Sequence, residues 1–344
     1  MQRSTRLAAW RHGIAAFAFA FGASAIGCAS SGEAVDARDH ASPSHETTAT
    51  AEDPVEPLRL LDLDPKRVKL GERLFRDPRV SGDGSVSCES CHLREEGGAD
   101  GRVHPMLGTR SEGTVNTPSI YNLAYDHRYN WSARFDDLGP QLDANLRNPL
   151  TMASNWPHVG RVVAADAGYV HDFATAYPGG ATAENARDAL VVYQLSLVTP
   201  SSRFDRWLDG EQGAITAIEK SGYALFKRYG CISCHQGKNL GGNMVERLGV
   251  MRDYFAYRGH VTDADLGRFA VTHDERDRYV FRVPSLRNVE RTAPYFHDGS
   301  AATLEDAVDV MARYQLGRPL EGDDAERIVA FLKTLTGTLH GAPL

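Results

Sequence analysis

Cys88-Glu89-Ser90-Cys91-His92 and Cys231-Ile232-Ser233-Cys234-His235 decide how this sequence is read. Both have the form C-x-x-C-H. Two thiols at this spacing can each add to one vinyl group of a single haem, and the histidine that follows reaches the iron from the same turn. In an exported chain, disulfides are the first alternative. The second is a redox or zinc C-x-x-C with an incidental histidine. Two matches in a chain with only one other cysteine, Cys28, point instead to two covalently bound haems c.

A weak repeat surrounds the motifs. An apolar and charged helical stretch ending in Leu74-Phe75 precedes the first, and one ending in Leu225-Phe226 precedes the second. His92 and His235 are 143 residues apart. The reading is therefore two related domains, an N-terminal haem domain over 58–203 and a C-terminal one over 204–344, joined near Pro200–Gly210. Helical spacing of apolar residues predicts helices over 66–75, 183–197, 216–228, 303–314 and 324–335. Thr303 and Asp306 form a capping-box-like start, and Gly337 follows the last helix. Strand alternation is weak, and long Gly/Pro/Asn loops fill 97–118 and 237–282. The predicted fold class is all-α: two cytochrome c-like haem domains with long loops, in which the haem replaces much of the core.

The chain has 344 residues, 42% of them hydrophobic, enough for about two ordinary domains. A formal net charge of −7 argues against a nucleic-acid partner. Arg3, Arg6 and Arg11 precede the short apolar run 14–26, the pattern of an export signal. Ala25-Ile26-Gly27-Cys28 resembles a bacterial lipobox. On this reading 1–27 is a signal peptide whose removal takes the charge from −7 to −10, and Cys28 carries a lipid. Residues 28–57, rich in Ala, Ser, Thr and acids, form a disordered tether. The expected location is the periplasm, anchored to a membrane. An acidic surface of this kind suits a basic redox partner.

The second axial face of each haem decides function: closed by Met or His it transfers electrons, and open it binds peroxide. Met311 shares a helical face with Leu304, Ala307 and Val308, so its pattern alone suits a core residue as well as a ligand. His104, His260 and His297 lie in loops, where each alone reads as a surface or supporting residue.

With these residues in view, the sequence resembles the bacterial di-haem cytochrome c peroxidases, a family that includes the enzyme maturing the tryptophan-derived cofactor of methylamine dehydrogenase. The resemblance runs from about Lys69 to Gly337. It rests on Leu74-Phe75-Arg76-Asp77-Pro78-Arg79, both haem motifs, Asn116-Thr117-Pro118-Ser119, Asp265-Leu266-Gly267-Arg268-Phe269, Val283-Pro284-Ser285-Leu286-Arg287-Asn288 and, most specifically, Thr292-Ala293-Pro294-Tyr295-Phe296-His297-Asp298-Gly299.

The resemblance implies that the N-terminal haem, on Cys88, Cys91 and His92, reacts with hydrogen peroxide. It implies that the C-terminal haem, on Cys231, Cys234 and His235, is the high-potential electron acceptor, with Met311 as its second iron ligand. Trp131 matches a tryptophan between the haems, which also reads as an aromatic core residue. Gln141 matches a glutamine near the peroxide pocket. His297 is carried as a catalytic candidate with Trp131, Gln141 and Thr151. Asn116, Thr292 and Pro294 match residues around a calcium ion, for which an amide oxygen and backbone carbonyls are suitable ligands. The implied donor is a small cytochrome c or copper protein, and the implied assembly is a homodimer.

Three stretches depart from the family. In Asn148-Pro149-Leu150-Thr151-Met152, Thr151 stands where the family has its acid/base glutamate. Gly108 aligns with a distal histidine that caps the peroxide-reacting iron in many members; a permanently open site is the simpler reading, with nearby His104 as the alternative cap. Ser132-Ala133-Arg134 replaces Asp-Gly-Arg. The expected activity is reduction of peroxide to water. Two rivals are oxidation of a partner protein's tryptophan or a small molecule, and a two-haem electron carrier without catalysis. A methionine at the C-terminal haem counts against the methylamine-dehydrogenase type of chemistry, which uses tyrosine there.

Overall fold

Gly71 and Gly222 mark the two helix crossings on which the fold is built. In the computed structural model, which describes residues 53–106 and 112–344, α1 (Pro65–Arg76) crosses α5 (Ala183–Ser196) at Gly71. A Cβ at Gly71 would collide with the Ala189 carbonyl oxygen. In the second half α7 (Ala217–Tyr229) crosses α11 (Asp324–Lys333) at Gly222, where a Cβ would collide with the Arg327 carbonyl oxygen. Both obstacles are backbone, which cannot swing aside as a side chain would. Gly71→Ala or Gly222→Ala should therefore lower stability by about 1–3 kcal/mol through overpacking, despite alanine's better helix propensity. A lower urea midpoint at unchanged slope checks this.

Local sequence sets the helix starts. Asp64 caps α1 by accepting from the Lys66 N–H, with Pro65 in the first turn. Thr216 and Glu219 form a reciprocal capping box on α7, and α7 ends on Gly230 at φ 96°. Between the crossing helices of the first half lie α2 (Leu138–Arg147), α3 (Trp156–Ala165) and α4 (Ala167–Ala176). The second half adds α6 (Arg203–Leu208), α8 (Tyr254–Arg258), α9 (Phe269–Thr272) and α10 (Leu304–Val310).

The molecule is mainly helical, as expected, but not purely so. β1 (Val245–Arg247) pairs antiparallel with β2 (Val280–Arg282), and β3 (Thr338–Leu339) with β4 (Ala342–Pro343). The expected loop 237–282 is thus broken by short elements. The helix expected over 303–314 also divides. α10 ends at Val310, and Met311–Gln315 forms a π-turn in which the Leu316 N–H donates to the Met311 carbonyl (3.0 Å). The segment 200–210 is more than a joint: it holds α6, whose Phe204 and Trp207 are fully buried.

One hydrophobic cluster gathers around Leu74, Phe75, Val159, Phe173 and Leu190. Another gathers around Phe204, Trp207, Tyr223, Phe226 and Phe331. A small third, Tyr254, Phe255 and Phe281, packs against Trp131. Buried ion pairs join distant parts of the chain: Arg287 to Asp205 (2.7 Å), and Arg282 to Asp126.

A second repeat, offset by 166 residues rather than 143, is faint in the sequence and plain in three dimensions. Thr117-Pro118-Ser119 through Asn122 corresponds to Val283-Pro284-Ser285 through Asn288. Asn122 and Asn288 share a left-handed backbone, φ 63° and 61°. Each side-chain oxygen accepts a backbone N–H, from Thr199 (2.8 Å) and Gly337 (3.0 Å), and each amide donates to the Thr199 hydroxyl (2.9 Å). The same offset relates the bridge Tyr129–Phe135 to the bridge Tyr295–Ala301, and so relates Trp131 to His297.

Candidate functional site

The second C-x-x-C-H motif opens on Gly230, the C-cap of α7, and turns through a 3-10 segment, Cys231–Ser233. That places Cys231, Cys234 and His235 in the wall of a cavity of about 450 Å³. Met311 lines the same cavity with Phe281, Pro284, Leu286, Leu304 and Leu332. An imidazole, a thioether sulfur and a pair of free thiols around one apolar space are the donor set of a c-type haem with histidine and methionine ligands. Burial pushes the Cys231 thiol up to about 11. Such a thiol is a poor redox or zinc thiolate, but a thioether carries no charge and suits this environment.

His235 is held in one tautomer. Its Nδ1 lies 3.2 Å from the Leu240 carbonyl oxygen, which can only accept, so Nδ1 carries the proton and Nε2 keeps its lone pair. Burial, opposed by that bond, brings its pKa down to about 4, so the ring is neutral. The π-turn presents Met311, and Gln315 ties that turn down: its amide donates to the Arg247 carbonyl (3.0 Å) and its oxygen accepts from the Gly249 N–H (2.9 Å). π-Turns are rare and concentrate at functional positions.

The first motif repeats the local design. Cys88–Ser90 is again a 3-10 turn. The His92 Nδ1 donates to the Gly98 carbonyl (3.0 Å), and burial lowers its pKa. The ring stands 6.4 Å from Phe75, as His235 stands 6.5 Å from Phe226. Burial, with help from Cys91, pushes the Cys88 thiol up to about 12.

Trp131 stands in the wall of the 450 Å³ cavity with Asn116, Thr292, Pro294 and His297. Its indole N–H donates to the Asn116 carbonyl (2.8 Å). Asn116 and Arg282, related by the 166-residue offset, bind crosswise: the Asn116 N–H donates to the His297 carbonyl (2.7 Å) and the Arg282 N–H to the Trp131 carbonyl (2.9 Å). The Trp131 and His297 rings meet edge to face at 6.4 Å. Ala133, where the family has glycine, is buried with φ 51°, a left-handed conformation that costs an L-residue and suits glycine.

His297 is buried in a charge network. Its Nε2 lies 2.7 Å from Asp265, and its ring stacks on Phe281 at 4.3 Å. Arg258 bonds Asp265 (2.6 Å) and Asp298. Asp265, His297 and Asp298 could by geometry hold a metal ion, but the Arg258 guanidinium already supplies the cation. Burial would raise the Asp265 pKa, yet Arg258, the Thr262 N–H and His297 together hold it well below the usual carboxylate range. A depressed carboxylate contributes stability above its unfolded pKa, and the contribution is lost as pH falls through the folded one. Asp265→Asn should flatten the acid limb of the stability curve. Arg258 keeps Asp298 as a partner in this variant, so the stability loss should stay below the roughly 3–5 kcal/mol of an uncompensated buried charge, read from denaturant midpoints across pH.

The other sequence candidates fall elsewhere. Gln141 sits half-buried on α2. Thr151 lies in the turn after α2, where its hydroxyl donates to the Asn145 carbonyl (2.7 Å). Neither lines the cavity around His235 and Met311. His104 has its Nδ1 3.4 Å from the Glu112 carboxylate, beside the stretch that holds Gly108, and His260 is exposed. Gly108 and Cys28 lie outside the described residues. The same is true of the export signal and nearly all of the tether. No helix among the described residues is long and apolar enough to cross a membrane. Sequence reasoning missed the Asp265–Arg258 partnership of His297 and the Gln315 tie; the offset repeat Pro118-Ser119/Pro284-Ser285 was the one available signal for the Trp131–His297 pairing.

Comparison with known proteins agrees with this geometry. The family model described as di-haem cytochrome c peroxidase matches residues 65–213. Cytochrome c peroxidase Ccp of Escherichia coli is 41% identical over 287 residues, covering 83% of this chain; the chain spans 61% of that relative's length. Cytochrome c551 peroxidase of Nitrosomonas europaea is 39% identical over 289 residues, covering 83% of this chain and 85% of the relative. A crystal structure described as a MauG-like protein associated with microbial copper homeostasis superposes with a TM-score of 0.73 at 28% identity, over 83% of this chain and 94% of that one. Paired C-x-x-C-H turns, a His/Met-lined cavity and relatives matched over most of this chain lead to one assignment: the chain belongs to the di-haem cytochrome c peroxidase family.

Proposed function

We propose that this protein reduces hydrogen peroxide to water at an N-terminal haem held by Cys88, Cys91 and His92. Electrons come from a small cytochrome c or copper protein through a C-terminal haem held by Cys231, Cys234, His235 and Met311. The observation that carries the reading is the single apolar cavity shared by His235, Met311 and the free thiols of Cys231 and Cys234. The domains on this reading are 58–203 and 204–344.

When bound, the haems supply the redox chemistry of O–O cleavage. The chain supplies the rest. Gly98 and Leu240 carbonyls fix the proton on Nδ1 of each histidine and leave Nε2 for iron. Trp131, held at Nε1 and at its carbonyl, is the aromatic relay between the halves. Gln141 is the amide partner for peroxide. Asn116, Thr292 and Pro294 share the wall beside Trp131, where one amide oxygen and backbone carbonyls would suit calcium. A homodimer, and a periplasmic location with a lipid on Cys28, complete the proposal.

Thr151 favours a second reading. Its hydroxyl is engaged with the end of α2, and a hydroxyl has no suitable pKa for acid–base work. Slow peroxide turnover would leave time to oxidise a partner protein or small molecule. The test is steady-state oxidation of reduced cytochrome c by peroxide with the two-haem protein. Sustained donor oxidation supports the peroxidase; peroxide loss without donor oxidation supports the second reading; no peroxide loss rejects both.

A further inference from the structure

Three tyrosines form a ladder from the surface to the haem cavity. Tyr257, on α8, is 72% exposed. Its ring lies 4.9 Å from that of Tyr314. Tyr314 meets Tyr254 edge to face at 5.5 Å, and Tyr254, buried, meets Phe296 at 6.0 Å. Phe296 lines the cavity of His235 and Met311, and Tyr314 belongs to the same π-turn as Met311. A side branch runs from Tyr254 through Phe255 (5.5 Å) and His297 (6.2 Å) to Trp131 (6.4 Å).

Packing alone would account for Tyr254 and Phe255, which belong to the third core. It does not account for Tyr257, a ring left in water at the outer end of the stack. Each phenol also has a hydroxyl or water partner. Tyr254 is 2.9 Å from the Ser300 hydroxyl, the Tyr314 phenol faces that of Tyr257, and Tyr257 opens to water. Tyrosine gives up an electron readily only when its proton leaves with it, so a ladder of hydroxyl-bonded phenols whose outer ring is open to water suits one-electron oxidation at that ring.

We propose that Tyr257 is a surface oxidation site, wired through Tyr314 and Tyr254 to the haem cavity, at which phenolic one-electron donors are oxidised. The proposal rests on the peroxidase reading, which supplies the oxidant. One hydrogen peroxide takes two electrons and two protons and becomes two waters. Two donor phenols each lose one electron and one proton and become phenoxyl radicals. Tyr257 passes these on singly, losing an electron inward and a proton to water, then regaining both from the donor. Met251, 63% exposed, adds an apolar side chain next to the ladder: its N–H donates to the Tyr314 carbonyl (3.0 Å).

Without a donor, two oxidised Tyr257 rings from different molecules should couple. A C–C bond forms between the rings, each ring loses one hydrogen, and one peroxide is consumed to two waters. The experiment treats the two-haem protein with peroxide and no donor. It follows peroxide consumption, dityrosine fluorescence, covalent dimer and the cross-linked peptide by mass spectrometry. The expected result is dityrosine mapped to Tyr257, lost in Tyr257→Phe and also lost in Tyr314→Phe, which keeps Tyr257 exposed but breaks the ladder. Both variants should still oxidise reduced cytochrome c. Peroxide consumed with no modification of Tyr257, or modification undiminished in Tyr314→Phe, overturns the ladder and leaves the peroxidase reading standing. No peroxide consumption overturns both.

Discussion

Met311→Ala should change the C-terminal haem from closed to open. The far-red methionine-to-iron charge-transfer band should vanish, and the protein should bind a second cyanide. The reduction potential should fall by a sizeable part of the roughly 0.8 V range that axial ligands command. The argument is local. Met311 and His235 line one cavity, and Met311 begins the π-turn that Gln315 ties to Arg247 and Gly249. If the sulfur is a ligand, its removal exposes the iron. If Met311 is merely core, the band is absent from the start and cyanide stoichiometry does not change. Gln315→Ala is the companion variant. It leaves the sulfur in place but frees the turn, so the band should weaken rather than disappear.

Thr151→Glu should raise peroxide turnover with a cytochrome c donor by about 10²–10⁴-fold, the usual worth of general acid–base help. The sequence resemblance aligns Thr151 with the family's glutamate, and its hydroxyl donates to the Asn145 carbonyl. A glutamate cannot donate that bond when ionised, so some loosening of the turn after α2 accompanies the gain. The check is kcat for peroxide against pH. A rise with a new ionisation identifies the added carboxylate as acid or base. An unchanged rate would mean that the native protein supplies the proton by another group.

What was legible in the sequence was what is local. The C-x-x-C-H turns, the Thr303–Asp306 capping box and the main periodic helices need only neighbours along the chain, and apart from the division of 303–314 each is found where it was read. The joint near 200–210 misled because Pro, Ser and Gly dominate its edges, while Phe204 and Trp207 within it bury themselves in the second core. Met311 sat in a pattern compatible with one continuous helix, and only the pairing of Leu316 with Met311 reveals the π-turn. Strands of three residues are too short to show alternation, so β1 and β2 were hidden.

The pairing of Trp131 with His297 was the largest gap. The two residues are 166 apart, in segments whose likeness amounts to a Pro-Ser pair, an asparagine and a tyrosine. Their relation emerges from crosswise backbone bonds through Asn116 and Arg282, which no one-dimensional pattern encodes. Asp265 and Arg258 were equally silent. The first lay in a family segment with no stated role and the second in a loop, and burial makes partners of them. His297, carried forward as a catalytic candidate, is in the structure a buried imidazole bonded to Asp265 beside Trp131.

Cyanide titration of the oxidised two-haem protein, followed by absorbance and electron paramagnetic resonance, tests the central claim most directly. The account predicts one cyanide per chain, bound at the haem on His92. The other haem should stay low-spin, six-coordinate and indifferent, with its far-red methionine band intact. Two cyanides per chain, or none, would contradict the division into one open and one methionine-closed haem.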